Sequence, residues 1–169
     1  MKRLLAAVMA LVLMMTAGAM AAGKTLGMKT TDFLTLFDLY LDTFTEMGLP
    51  HYPLDILDRE QGKTSMVKPL TPHCSIDIKQ EGEMLKSFKI VSNENKDPAD
   101  EENRITDIMI CFIGALTLTN NYFTRDNTIA ELSKIMEDRN EHTYGDINYR
   151  YSTTQPISTI VALEVTPAK

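Results

Sequence analysis

Three histidines, His51, His73 and His142, and two cysteines, Cys74 and Cys111, hold most of the chemistry available to this chain. His73 and Cys74 are neighbours in the stretch TPHCSIDIK, where a strand is predicted to start. Three chemistries suit such a dipeptide: a thiol with its base, half of a metal site, or one end of a disulfide. A nucleophilic thiol needs a base within hydrogen-bond reach. Successive residues on a strand point to opposite faces, so adjacency alone does not supply that base. No local signature of a thiol hydrolase surrounds Cys74. The spacings match no C-x-x-C or H-x-x-x-H pattern, and no two of the five residues share a predicted helix face, which disfavours zinc. The sequence therefore assigns no catalytic residue, no metal ligand and no cofactor. His73 reads as a capping or surface histidine beside a structural cysteine.

Disulfide formation is the remaining chemistry. Exactly two cysteines in a chain with an export signal favour a bond between Cys74 and Cys111. It would join a strand to a helix covering the sheet, and a loop of that size is worth roughly 4 kcal/mol by chain entropy. An EF-hand alignment beginning at Asn93 places Asn95 and Asp97 well. It then puts Pro98 where glycine is needed and Arg104 where the bidentate glutamate belongs, so it fails. There is no G-x-S-x-G, phosphate loop or G-x-G-x-x-G. Carboxylates such as Asp55 and Asp58, Asp77, or Glu137 and Asp138 sit in no pattern that fixes an acid–base separation. Tyr149, Arg150 and Tyr151 form the candidate binding group. Tyr149 and Tyr151 share one strand face and would make an amphipathic platform if exposed, or tethered core if buried.

The elements that must position these residues read as follows. Lys2 and Arg3, an apolar run from Leu4 to Met15, and Ala19-Met20-Ala21 have the layout of a secretory signal peptide, cleaved after residue 21. The run is shorter than the roughly 20 apolar residues a spanning helix needs. Residues 22–29 have no periodic pattern and are expected to fray. A single domain is expected over 30–169. Its first helix is capped by Thr30 or Thr31, carries Phe33, Phe37, Tyr40, Leu41 and Phe44 at helical spacing, and stops at Gly48. Strands follow over Leu54 to Asp58, Thr64 to Pro69, from Cys74, and Leu85 to Ser92. Asp97 is expected to cap a second helix running from Pro98 through the apolar stretch Ile105 to Leu118. Thr128 and Glu131 match a capping box for a third. Two strands, near 147–152 and 157–166, close the chain. The order αββββααββ indicates an α+β domain, a mainly antiparallel sheet with about three helices packed on one face.

The net charge of -6 becomes -8 once Lys2 and Arg3 are removed. That acidity repels phosphate backbones, so nucleic acid is not an expected partner. No membrane span is expected after signal cleavage. The sequence points to a small exported protein, periplasmic or extracellular. Its expected role is a non-catalytic binding or interaction module for a protein or small-molecule ligand of the cell envelope. The alternative is an envelope hydrolase using His73 or His142 with a carboxylate distant in sequence.

Overall fold

The computed structural model describes residues 25–45, 48–54, 65–92, 98–138, 140–154 and 160–168. The signal segment 1–21, residues 55–58 of the strand expected at 54–58, and the expected cap Asp97 lie outside the described residues. The elements are α1 (Thr30–Thr45), β1 (Ser65–Thr71), β2 (Cys74–Glu81), β3 (Met84–Ser92), a 3-10 turn (Pro98–Asp100), α2 (Glu101–Thr119), α3 (Thr128–Asp138), β4 (Glu141–Tyr144), β5 (Ile147–Thr154) and β6 (Ile160–Pro167). All six strands join one antiparallel sheet in the order β1-β2-β3-β6-β5-β4. The fold is α+β, as its sequence pattern implies. The described strands group three and three around the helices, not four and two. Leu54 lies outside any strand, and the four-residue β4 carries too short an alternation to be read in advance.

Short hairpins fix the register. Thr71 pairs with Cys74, Glu81 with Met84 and Tyr144 with Ile147, leaving two-residue turns at Pro72-His73, Gly82-Glu83 and Gly145-Asp146. Gly82 and Gly145 hold φ of 63° and 60°, a conformation costly for residues with a Cβ but natural at the first position of such a turn.

One face of the sheet carries Ile76, Ile78, Phe88, Ile90, Leu163, Val165, Tyr149 and Tyr151, all buried. The three helices cover this face. Phe33 of α1 lies 4.6 Å from Phe88, Phe112 of α2 lies 6.3 Å from Tyr151, and Leu132 and Ile135 bury the inner side of α3. Each such side chain contributes about 1.5–3 kcal/mol through removal from water. Gly114 of α2 lets α1 approach closely. A Cβ there would fall 2.6 Å from the Tyr40 ring, whose hydroxyl donates to the Ile110 carbonyl at 3.1 Å.

The starts of α1 and α3 lie about one residue from the expected caps, and α2 begins at Glu101 with Asp100 at its N-cap, three residues beyond the expected Asp97. Thr30 is the first helical residue of α1, and its buried hydroxyl finds no partner among the described residues. Thr128 opens α3 but its hydroxyl donates to the Thr124 carbonyl. The Glu131 amide donates to the Asn127 carbonyl, and Asn127 Oδ1 accepts from the Thr124 amide, so no capping box forms. Leu26 to Lys29, expected to fray, are tied down: the Leu26 amide donates to Leu85 at 2.8 Å and the Leu85 amide to Met28 at 2.9 Å, with Leu26 buried. Among the described residues no helix is long and apolar enough to cross a membrane.

Candidate functional site

His73 sits in the β1–β2 turn, not on a strand. The Thr71 hydroxyl oxygen accepts from the amides of His73 (3.2 Å) and Cys74 (3.1 Å) and shapes that turn. The imidazole reaches across to the start of α2. Nδ1 lies 2.7 Å from Asp107 Oδ2, and Nε2 lies 2.7 Å from Asp100 Oδ2. Asp100 and Asp107 are seven residues apart, about two helical turns, so both face the sheet corner. Ionised carboxylates only accept, so a ring held between two of them is favoured as the imidazolium, with both nitrogens donating. Burial pulls its pKa down, but the hydrogen bonds and negative charges of Asp107 and Asp100 outweigh this and leave it raised. The Asp100 carboxyl is held below its usual range, first by the Asn103 amide and then by His73. A ring with both nitrogens donating has no lone pair for general-base work. It staples the turn to the helix.

The same helix stripe continues with Arg104 and Cys111. Arg104 grips Glu101 with two hydrogen bonds, Nε at 2.9 Å and Nη2 at 2.6 Å, and its Nη1 approaches Ser92 Oγ at 3.5 Å. Ser92 Oγ also accepts from the Val161 amide at 2.9 Å, linking this corner to β6. Cys74 stands opposite Ser92 in the sheet. Helix and strand do bring Cys74 and Cys111 together, but as two buried free thiols. The expected disulfide is not present. No covalent bond joins the sulfurs. The adjacent Cys74 thiol, then burial and neighbouring negative charge, push the Cys111 pKa well up. The nucleophile is the thiolate, so Cys111 is inert at neutral pH.

Of the two readings of the tyrosine pair, the structure shows tethered core and not an exposed platform. Tyr149 is 0% and Tyr151 8% exposed, both under the helices. The Tyr149 hydroxyl shares a 2.8 Å hydrogen bond with Thr119, and burial raises its pKa. Both rings belong to the core. Arg150 alone of the three faces outward, on the opposite side of the sheet. His51 and His142 lie 3.5 Å from Asp38 and 3.3 Å from Asp138, but no pair of them converges with His73. Among the described residues no three His, Cys, Asp or Glu side chains are arranged to hold a metal ion.

Among the described residues no helix lies on the second face of the sheet. Strand register lines up one residue from each strand across all six: Val67 opposite Asp77, Asp77 opposite Lys89, Lys89 opposite Glu164, Glu164 opposite Arg150, and Arg150 opposite Glu141. From Asp77 onward the signs alternate. Opposite charges on adjacent strands add roughly 0.2–1 kcal/mol each to sheet pairing. Yet none of the ion pairs among the described residues joins two members of this row. Beside it runs a row of small and apolar residues, Pro69, Ser75, Val91, Ala162 and Ser152. A recess of about 30 Å³, room for little more than a water, opens among Asp77, Lys79, Ser87, Lys89 and Glu164. The sheet edges are blunted: β1 carries Lys68, Pro69 and a register shift, and β4 has only four residues. Comparison with protein-family models, with curated proteins and with solved structures finds no match to this chain.

Proposed function

We propose that this is an exported, non-catalytic interaction module that meets its partner through the open face of its sheet. The observation that carries this reading is the charged row Asp77, Lys89, Glu164, Arg150 and Glu141, no two of which form an ion pair with each other among the described residues, on a face that no described helix covers. Such a row fixes register and orientation in a protein–protein contact more than it adds raw affinity. The blunted edges favour contact through the face over addition of a strand. Export to the periplasm or beyond rests on the Lys2–Ala21 pattern, and a protein of the envelope is the favoured partner class. The test is capture from an envelope fraction by the immobilised chain, compared with the variants Arg150→Glu and Ser152→Arg. Loss of a stoichiometric partner with both supports the reading. Unchanged capture with both refutes it.

A second reading, a hydrolase centred on His73, draws on the His73–Asp100–Asp107 geometry. It requires the imidazole to lose a proton to a substrate or water while flanked by two carboxylates. Turnover of ester or peptide substrates that disappears in His73→Gln, with the fold intact, would favour it.

A further inference from the structure

We infer that the open face is an interface between two copies of this chain, related by a two-fold axis that runs along the β3–β6 seam. The inference rests on the reading of this face as an interaction surface and names its occupant. The seam is the midline of the sheet, with β1-β2-β3 on one side and β6-β5-β4 on the other. The charged row, written across that midline, is Val67, Asp77, Lys89 and then Glu164, Arg150, Glu141. Rotating a second copy by half a turn about an axis parallel to the strands, in the plane between two stacked sheets, exchanges the halves. Lys89 then faces the second copy's Glu164, and Asp77 faces its Arg150. Each contact occurs twice, as a self-complementary two-fold interface requires. The small-residue row follows the same operation: Val91 faces Ala162, itself only 4% exposed between its neighbours, and Ser75 faces Ser152, so a compact uncharged row lies beside the charged one.

Neighbouring positions of the axis fail. Centring it on β6 sets Glu164 against Glu164 and Lys89 against Arg150. Centring it on β3 sets Lys89 against Lys89 and Asp77 against Glu164. Like charges brought together in an interface cost several kcal/mol, so the row selects the midline and rejects a shift of half a strand spacing either way. Stacked sheets lie about 10 Å apart, a gap that Lys, Arg and Glu side chains reaching from both sides can bridge. Aligned sheet packing at about 30° displaces the outer strands most and the two Lys89–Glu164 pairs beside the axis least. Six strands at about 4.8 Å by some six residues give a footprint of roughly 500 Å² per copy. Two copies reach the threshold of about 1,000 Å² for a specific contact.

The test is sedimentation equilibrium on the mature chain, on Lys89→Glu, on Glu164→Lys, and on an equimolar mixture of the two variants. The wild type is expected to dimerise. Each variant alone sets like charges face to face twice and should dimerise at least about tenfold more weakly. In the mixture, one copy carries two glutamates and the other two lysines, so both contacts become favourable and a heterodimer should form. Each variant also places like charges side by side within its own sheet, and mixing cannot repair that. Recovery therefore reports the interface and not the fold. A wild type that stays monomeric, a dimer indifferent to both reversals, or a mixture no tighter than its components overturns the inference. A monomer that still loses its envelope partner with Arg150→Glu refutes only the pairing of copies and leaves the face to another protein. Variants without effect on either association sink both readings.

Discussion

Replacing His73 with Ala tests the staple between the β1–β2 turn and α2. The lost imidazolium leaves the Asp107 carboxylate, whose side chain is only 4% exposed, without its partner at 2.7 Å. Removing one member of a buried ion pair costs about 3–5 kcal/mol. The contact with Asp100, 41% exposed, adds little because water screens it. The His73 side chain itself is 14% exposed, which argues for the low end, about 3 kcal/mol. A double-mutant cycle with Asp107→Ala should return about 2 kcal/mol of coupling. The pH dependence has a definite sign. His73 has a raised pKa in the folded chain, so its contribution is complete below the ordinary value of 6.5 and declines as pH rises through the raised value. Asp100 has a lowered pKa, so its contribution is present above the ordinary 3.8 and is lost as pH falls through the lowered value. Urea denaturation of wild type and His73→Ala should therefore differ most between about pH 4 and 6.5, and less at pH 9. A difference below about 0.5 kcal/mol at pH 6, or one that grows towards pH 9, would falsify the staple.

Other perturbations have equally definite outcomes. Phe112→Ala, at a fully buried position facing Tyr151, should cost about 3–5 kcal/mol by urea denaturation; an unchanged midpoint would remove α2 from the centre of the core. Thiol labelling should find no reactive cysteine in the native chain and both Cys74 and Cys111 in denatured, unreduced protein, whereas silence after denaturation would mean a covalent bond. Gly82→Ala should cost about 1–2 kcal/mol from backbone strain alone, since nothing lies within 4 Å of the added methyl; a neutral result would mean the turn relaxes.

Much of the architecture was legible because it depends on local periodicity. Phe33, Phe37 and Leu41 mark the inner stripe of α1, and Gly48, with φ of 86°, lies just beyond its end. Ile76, Ile78, Phe88 and Ile90 mark the inner face of β2 and β3. The corner site was hidden because its members are close only in space. His73 finds partners 27 and 34 positions away, and adjacency to Cys74 drew attention to the wrong neighbour. A signal was present from the N-cap of α2 onward, where Asp100, Arg104, Asp107 and Cys111 recur at helical spacing on the side that buries Ile108 and Phe112. Polar residues on the buried stripe of an apolar helix imply partners across the packing interface. The charged row on the open face had no linear trace. Alternation places one outward residue on each strand, but which strands are neighbours is decided by the β3–β6 pairing of distant segments.

That pairing has a kinetic meaning. The two halves of the sheet are built from adjacent or nearby strands, and two-residue turns close β1–β2, β2–β3 and β4–β5. The seam between them rests on four residue pairs, Phe88 to Val91 with Ala162 to Val165, separated by 71 to 77 positions of chain. The entropy of closing so long a loop must be met before those pairs return any stability, so seam formation should govern the folding rate. Leu163→Ala is then expected to slow refolding in stopped-flow experiments, while Met66→Ala on the outer strand β1 mainly speeds unfolding. A chain arrested before the seam closes would hold two hairpin units with β3 and β6 unpaired along one edge, the species in which this protein is most exposed to aggregation.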